Sequence, residues 1–304
     1  MKQFFETMFF RPKWYHFPLI VLLSPLSLIY GIFMLLRRMF TAKNTFSIPI
    51  LSVGNLIVGG SGKTPFVIAL ASRYKDVTII SRGYGRESQG LIQVSAKGKI
   101  LTTVWQSGDE PMLMAKSLPN ASVIVSEDRE IAIELAMREG AKLIILDDGF
   151  NRVNINKFEI LLEPQEIKNY LPFPAGAFRE FYWTRNYADI LAKEEQDFKR
   201  KVIFENLSDK MLLVTAISNP QRLDKYLPEG VVSTLYLDDH AYFDENELAI
   251  EMQKHDAKTL LVTQKDAVKM EDFKLPLSLM KLELEIEDEI LSLTDTYINT
   301  YFRR

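Results

Sequence analysis

The sequence predicts an α/β protein with a mostly parallel β-sheet and helices on both of its faces. From Ile48 to Leu162, short apolar runs alternate with helical stretches, which is typical of repeated strand–helix units. A glycine-rich loop separates the first apolar run from the first helix, and paired acidic residues follow a later run. The chain has 304 residues, of which 47% are apolar and 25% charged, as in globular proteins. Its length admits one large or two ordinary domains.

The first strand, loop and helix form the stretch on which the rest of the prediction depends. The apolar run Ile48 to Val53 leads into a loop that closes on Gly62-Lys63-Thr64, and Pro65 to Leu70 begins a helix. This is a phosphate-binding arrangement, because N–H groups at a helix N-terminus face the anion and glycines let the backbone approach it. One glycine of the usual pattern is replaced by Ile57. The predicted ATP-binding residues are Ile57, Val58, Gly59, Gly60, Ser61, Gly62, Lys63 and Thr64.

Two acids at a strand end supply a candidate magnesium site. The strand Leu143 to Leu146 ends in Asp147-Asp148, and ligands of parallel sheets lie at the carboxyl ends of the strands. Lys63 is expected to reach the β- and γ-phosphates, while the Thr64 hydroxyl and Asp147 hold Mg²⁺. A solvated turn would explain the two acids alone, but together with the glycine loop they favour a P-loop NTPase-type sheet.

The N-terminal segment predicts membrane association. Phe17 to Leu36 contains no charged residue and is followed by Arg37-Arg38, and about 20 apolar residues can span a bilayer. Two prolines and Gly31 interrupt the run, which suits an interfacial or broken helix better than a straight spanning one. We therefore expect a membrane-associated helical segment over residues 1–40, without deciding between spanning the bilayer and lying on it.

The middle of the chain continues the strand–helix alternation. Strand-like runs are predicted at 76–81, 91–94, 100–105, 122–125, 158–162, 187–191 and 202–204. Helices are predicted at 112–118 and 129–138. The proline- and glycine-rich segment from Tyr170 to Phe181 also carries large apolar residues, so a structured loop over a site is expected there.

The C-terminal part predicts a smaller α/β domain. Its strands are predicted at 211–216, 231–237, 260–263 and 279–286, and its helices at 220–227 and 245–255. The second of these strands ends in Asp238-Asp239-His240. The expected organisation is an N-terminal segment (1–40), a P-loop domain (41–206) and a smaller α/β domain (207–304).

Charge and composition exclude several classes of protein and site. A net charge of −3 leaves no overall basic footprint, so no nucleic acid partner is expected. The absence of cysteine excludes disulfides and thiolate metal sites, and three histidines argue against a histidine-built zinc site. A Mg²⁺ ion held by oxygen ligands stays compatible with the sequence.

Seven motifs in one order point to a family. They are VGNLIVGGSGKTP, SRGYGR, SGDEP, IILDDGF, LPFPAGAFRE, DDH and TQKDAVK, running from about Ser52 to Lys269. The order and the sequences of these motifs resemble those of the tetraacyldisaccharide 4′-kinase family, the lipid A 4′-kinases of Gram-negative bacteria. The resemblance implies transfer of the γ-phosphate of ATP to the 4′-hydroxyl of a tetraacylated glucosamine disaccharide 1-phosphate, with Mg²⁺. It also implies a role in lipopolysaccharide synthesis at the cytoplasmic face of the inner membrane.

The resemblance also implies site residues. Asp109 and His240 would act as a catalytic pair with Asp239 steadying the histidine, and which of the pair takes the proton stays open. Implied metal-site residues are Thr64, Asp147 and Glu180. Implied substrate-binding residues are Arg179, Arg82 and Asp148. The family's usual Gln-His after DDGF is Asn151-Arg152 here, so any role of that histidine is in doubt.

Two alternatives stay open from the sequence. A membrane-associated GTPase switch is one, because Thr263 to Asp266 after an apolar strand resembles a guanine-specificity motif. Against it, Leu146 occupies the position where a GTPase carries its metal-binding aspartate, and the loop glycine is missing at Ile57. A P-loop kinase for a soluble metabolite is the other, and the apolar N-terminal run argues against it.

Overall fold

A computed structural model describes residues 2–58, 62–164 and 167–303 of the chain. The predicted loop residues Gly59, Gly60 and Ser61 lie outside the described residues. The helices are α1 (Lys2–Phe10), α2 (Phe17–Phe40), α3 (Lys63–Ala71), α4 (Val104–Ser107), α5 (Asp109–Ser117), α6 (Arg129–Arg138), α7 (Glu245–Lys254), α8 (Gln264–Ala267) and α9 (Asp288–Phe302). The strands are β1 (Ile50–Gly54), β2 (Val77–Ser81), β3 (Ile92–Ala96), β4 (Lys99–Ile100), β5 (Ser122–Val125), β6 (Leu143–Asp147), β7 (Phe158–Glu163), β8 (Ile190–Lys193), β9 (Phe198–Glu205), β10 (Met211–Thr215), β11 (Val231–Tyr236), β12 (Thr259–Thr263) and β13 (Leu277–Ile286). Short 3₁₀ turns lie at Trp14–His16, Tyr182–Tyr187 and Pro220–Tyr226.

The chain forms two compact units. The first comprises the described parts of residues 1–67, 140–199 and 286–304, and the second comprises residues 68–139 and 200–285. The predicted domain boundaries after residues 40 and 206 stay predictions.

The first unit is built on parallel strands in the order β6-β1-β7-β8. Every residue of β1 and β6 is buried, as expected of apolar strands covered on both faces. In this register Val53 lies opposite Asp147, so the end of β1 and the end of β6 are neighbours. The loop that follows β1 therefore begins beside Asp147, the last residue of β6, and Asp148, which follows it.

Helix α2 is continuous over 24 residues, although Pro25 lies inside it. A proline removes the hydrogen bond that its N–H would give to the carbonyl four residues earlier. Here that carbonyl, on Val21, accepts a hydrogen bond of 2.8 Å from the Ser24 hydroxyl instead. The broken helix that the prolines suggested is therefore not observed, since a neighbouring side chain satisfies the carbonyl.

The second unit contains strands in the order β4-β3-β5-β2 and a second sheet in the order β11-β10-β12-β13-β9. The β2–β5 pair is parallel, as are the consecutive pairs from β11 to β13, whereas β3 runs antiparallel to both of its neighbours. Helix α7 covers one face of the second sheet, where Leu248 and Met252 pack against Leu212 and Leu260. The predicted mostly parallel α/β architecture is confirmed.

Two predicted elements differ in the structure. Residues 100–105 were expected to form a strand, but only Lys99–Ile100 pairs with β3, and Val104–Ser107 is a helical turn. Trp105 on that turn stacks on Tyr242, with ring centroids 3.4 Å apart, and this packing outweighs the β-propensity of the run. The predicted helix at 220–227 is instead a 3₁₀ turn at Pro220–Tyr226. None of its side chains is fully buried, and Leu223 and Tyr226 pack only partly against the sheet, so little packing supports a full α-helix there.

Candidate active site

The predicted phosphate loop ends at the first residue of α3. Gly62 has φ = +69°, a conformation that glycine adopts without strain, and Lys63 opens the helix. Nζ of Lys63 donates a hydrogen bond to Oδ1 of Asn55 at 3.2 Å and lies 3.5 Å from Oδ1 of Asp148. The lysine is thus held at a helix N-terminus, where backbone N–H groups favour an anion.

The chain that leads into this loop is held by the proline- and glycine-rich segment. Val58 N–H donates to the carbonyl of Ala177 at 2.9 Å, and Arg179 N–H donates to the carbonyl of Leu56 at 2.7 Å. These bonds lay residues 56–58 beside residues 177–179. The segment 170–181, which was predicted to lie over a site, therefore contacts through its main chain the residues that lead into the phosphate loop.

Asp148 follows β6 and joins Lys63 to Arg179. Its N–H donates to the carbonyl of Val53 at 2.9 Å, which fixes it at the end of β1. Its Oδ2 accepts a hydrogen bond from Nη1 of Arg179 at 2.8 Å. Burial alone would raise the pKa of Asp148, but the charges of Lys63 and Arg179 outweigh it and hold that pKa below its ordinary value. The carboxylate is therefore ionised at neutral pH and balances two cations.

Three further predicted residues lie in the first unit. Thr64, in the first turn of α3, and Asp147, the last residue of β6, are both buried. Glu180 is also buried, and both of its oxygens accept hydrogen bonds of 2.8 Å from Arg38. Within the described ranges, no group of three or more acidic or histidine side chains gathers to form a metal site.

The second unit brings together two residues that are 131 positions apart in the chain. Asp109 is the first residue of α5 and is only 3% exposed, while His240 lies in the turn after β11 with its side chain 18% exposed. Nδ1 of His240 is 2.9 Å from Oδ2 and 3.0 Å from Oδ1 of Asp109. A carboxylate accepts only from a protonated nitrogen, so Nδ1 carries the proton and the lone pair of the neutral ring is on Nε2.

Two lysines frame the Asp109 carboxylate. Nζ of Lys265 and Nζ of Lys269 each lie 3.6 Å from Oδ2 of Asp109. Burial alone would raise the pKa of Asp109, but the hydrogen bond from His240 and the charges of Lys265 and Lys269 outweigh it, so that pKa is lowered. Asp109 therefore stays ionised at neutral pH and orients the imidazole.

The residue that places this histidine is Asp266. Its carboxylate accepts hydrogen bonds from the hydroxyls of Thr215 (2.6 Å) and Thr263 (2.7 Å), and from Ala216 N–H (3.2 Å). The Ala216 carbonyl in turn accepts from His240 N–H at 3.0 Å. Asp266 is fully buried and uses both oxygens within the protein. It is thus not presented to a guanine base, which removes the main support for the GTPase alternative.

The last two predicted site residues in the second unit are Asp239 and Arg82. Oδ1 of Asp239 lies 3.7 Å from Nε2 of His240, beyond hydrogen-bonding distance, so the orienting bond to the ring comes from Asp109. Arg82 is exposed. In the same loop, the ring of Tyr84 lies 5.2 Å from the His240 ring.

Sequence reasoning assigned no role to Arg38, Lys265 or Lys269, although each contacts a predicted site residue. The two lysines belong to the TQKDAVK motif, and this motif is the sequence feature that could have indicated them. Arg38 follows the apolar run, and nothing in its spacing indicates Glu180 as its partner.

Comparison with known proteins identifies the family. The sequence matches the family model for LpxK, tetraacyldisaccharide-1-P 4'-kinase, over residues 19–299. The chain belongs to this family. A Helicobacter acinonychis protein named tetraacyldisaccharide 4'-kinase is 48% identical over 302 residues, covering 99% of this chain and 96% of that protein. A Campylobacter jejuni protein of the same name is 41% identical over 300 residues, covering 97% and 96%.

A solved structure agrees with the sequence comparisons. The crystal structure of LpxK from Aquifex aeolicus, described as a complex with ATP, matches with a TM-score of 0.78 and 29% identity. The match covers 92% of this chain and 99% of that one. The predicted kinase is therefore confirmed, and the GTPase switch is not supported.

Proposed function

We propose that this LpxK-family chain transfers the γ-phosphate of ATP to the 4′-hydroxyl of a tetraacylated glucosamine disaccharide 1-phosphate, in the synthesis of lipid A. The observation that carries the proposal is the Asp109–His240 hydrogen bond, in a chain whose Lys63 opens a helix behind a glycine-rich loop. A proton acceptor for an alcohol and a lysine for a triphosphate are the two protein functions that such a transfer needs.

The first unit holds the nucleotide in this proposal. Residues 57–64 surround the phosphates, with N–H groups of the loop and the ammonium of Lys63 as donors. Arg179, predicted to bind the substrate, contributes a planar, permanently charged group suited to the phosphate oxygens of that substrate. Asp148 holds Lys63 and Arg179 beside each other, since it bonds Arg179 at 2.8 Å and lies 3.5 Å from Lys63.

Thr64 and Asp147 would hold Mg²⁺. Their hydroxyl and carboxylate are the hard oxygen ligands that this ion prefers, and Mg²⁺ in such enzymes takes most of its remaining ligands from phosphates and water. When bound, the ion neutralises charge on the transferred phosphoryl group. Glu180 stays a predicted member of this metal region, with both oxygens held by Arg38.

The second unit supplies the proton acceptor. A sugar hydroxyl attacks phosphorus effectively when a base within hydrogen-bonding distance takes its proton. The ionised Asp109 fixes the proton of His240 on Nδ1, so the Nε2 lone pair is the acceptor that the pair offers. Asp239 adds negative charge near Nε2, and Arg82 is assigned to the anionic substrate.

Membrane attachment completes the proposal. Helix α2, with the turn before it, is long and apolar enough to cross a membrane, and one face of it exposes large apolar side chains such as Leu22 and Ile29. A tetraacylated substrate resides in a lipid surface, and ATP is cytoplasmic. We therefore place the chain at the cytoplasmic face of the bacterial inner membrane, with no nucleic acid partner.

The test is a transfer assay on the full-length protein. Protein purified in detergent is incubated with ATP, Mg²⁺ and tetraacyldisaccharide 1-phosphate in mixed micelles, and the lipid product is analysed by mass spectrometry. We expect a gain of one phosphate that requires ATP. Folded protein that yields no phosphorylated lipid contradicts the proposal.

A further inference from the structure

The inner face of helix α2 packs closely on the segment that carries Arg179 and Glu180. The Ser27 hydroxyl accepts a hydrogen bond of 2.8 Å from Ala175 N–H. At Gly31 a Cβ atom would lie 2.5 Å from the ring of Phe181, so only glycine allows this approach. Phe181 directly follows Glu180, and the helix is therefore docked next to two predicted site residues.

Arg38, near the end of the same helix, makes the most specific contact. Its Nε and Nη2 each donate to one oxygen of Glu180 at 2.8 Å, which is a two-pronged pair between side chains that are 9% and 1% exposed. Nη2 also donates to the carbonyl of Phe150 at 3.1 Å, and the guanidinium lies 4.2 Å from the centre of the Phe150 ring. One planar group thus bridges two separate segments.

Those two segments also meet through site residues. Phe150 lies two positions after Asp148, and Glu180 follows Arg179. The Arg179–Asp148 pair (2.8 Å) joins the same segments through the residues proposed to act on phosphate. The neighbouring Arg37 extends the attachment, since its Nη2 donates to the Asn151 carbonyl at 3.0 Å. A shift of Arg38 would therefore move both partners of the Arg179–Asp148 pair.

We propose that Arg38 is a positioning residue for phosphoryl transfer, through which α2 fixes the segments Asp147–Phe150 and Arg179–Glu180. This proposal rests on the proposed function. A buried ion pair contributes little net stability, because desolvation of both charges offsets their attraction. The fork of an arginine does fix direction, which a lysine cannot reproduce. Small misplacement of reacting groups lowers rates by large factors, so the role is one of geometry.

The test compares Arg38→Lys with a matched control, Arg185→Lys. Arg185 lies in the same unit, pairs with Glu163 at 2.7 Å and lies 4.2 Å over the Tyr182 ring. Both of these partners belong to the described part of the chain and lie outside the two segments. We expect Arg38→Lys to lower kcat at least tenfold, with KM for ATP changed less than threefold and the urea midpoint near that of the wild type. Arg185→Lys should keep wild-type kcat.

A readout independent of activity separates this inference from the proposed function. Amide hydrogen exchange in residues 148–151 and 177–180 should become at least tenfold faster in Arg38→Lys, and should be unchanged in Arg185→Lys. Unchanged exchange overturns the positioning role, even if the wild type phosphorylates the lipid. Faster exchange with wild-type kcat also overturns it. A wild-type protein that fails to phosphorylate the lipid contradicts the proposed function alone, because the exchange measurement still tests how Arg38 holds the two segments.

Discussion

Nδ1 of His240 lies 2.9 Å from the carboxylate of Asp109, a residue 131 positions earlier in the chain. The bond holds the imidazole so that Nε2 is the nitrogen available to accept a proton. Because the acid is buried beside two lysines, it stays ionised and keeps the histidine in this tautomer. A hydrogen-bonded Asp–His pair of this kind is suited to deprotonating an alcohol.

Replacement of His240 by Gln should lower kcat by about 10²- to 10³-fold, since general base catalysis contributes in that range. KM for ATP should change little, because the lost group acts in the transition state. Steady-state kinetics with varied ATP measures both constants. His255→Gln is the matched control: His255 caps α7 in the same unit, 3.4 Å from Glu251, and its loss should leave kcat unchanged. A fall in ATP affinity at constant kcat would contradict the base role.

Replacement of Lys63 by Ala should reduce kcat/KM by about 10²- to 10³-fold, as expected when a charged donor to the transferred phosphate is removed. The fold should persist, since the side chain lies at the start of α3. Circular dichroism and the transfer assay check the two parts. Lys199→Ala is the control, because Lys199 makes an exposed ion pair with Glu287. Near-normal turnover in Lys63→Ala would rule out the phosphate role.

The charge of Asp109 should stabilise the fold in a pH-dependent way. Its folded pKa is lowered, so this stabilisation is complete above the ordinary aspartate pKa of about 3.9 and is lost as pH falls through the folded value. Asp109→Asn should therefore lower the free energy of unfolding by about 2 kcal/mol at pH 7. The difference in unfolding free energy between Asp109→Asn and the wild type should narrow below about pH 4. Urea unfolding at stepped pH measures this difference in unfolding free energy, and a difference that widens in acid would contradict the stabilising role of the Asp109 charge.

Asp266→Asn should destabilise the second unit by about 2 to 3 kcal/mol, because a buried carboxylate with three hydrogen-bond donors is replaced by an amide that cannot accept all of them. Nucleotide preference should stay with ATP. Thermal unfolding and competition between ATP and GTP check the two statements. Asp272→Asn, at an exposed position, is the control. Altered selectivity between ATP and GTP in Asp266→Asn, without destabilisation, would indicate that Asp266 contacts the nucleotide base.

Replacement of Leu22 and Ile29 together by Ser should weaken binding to lipid vesicles without lowering stability. These side chains are 72% and 64% exposed on α2, so they make few contacts within the protein, and burial of each in lipid is worth about 1.5 to 3 kcal/mol. Vesicle co-sedimentation measures binding. Ile131→Ser, at a half-exposed position on α6, is the control. Undiminished sedimentation of the double variant would show that another surface attaches the protein.

Much of the first unit follows from local sequence. The apolar run before the glycine loop, the GKT at a helix start and the two acids at the end of β6 each indicate a position at the strand ends. The register places Val53 opposite Asp147. The Asp109–His240 pair does not follow from spacing, because packing of separate elements creates it. This pair could be predicted only from the resemblance to the family.

Other features depend on side-chain contacts that sequence patterns do not encode. The continuity of α2 through Pro25 depends on the Ser24 hydroxyl reaching the Val21 carbonyl. The turn at Val104–Ser107 depends on Trp105 stacking on Tyr242. Likewise, the fork between Arg38 and Glu180 joins residues 142 positions apart.

The most direct measurement is the position of the phosphate that the full-length protein adds to tetraacyldisaccharide 1-phosphate from ATP and Mg²⁺. Phosphorus–proton correlation NMR of the isolated product locates it. We expect a new phosphomonoester on the 4′ oxygen, formed about 10²- to 10³-fold more slowly when Lys63→Ala replaces the wild type. A phosphate on another position, or an unmodified lipid recovered from folded wild-type protein, would contradict it.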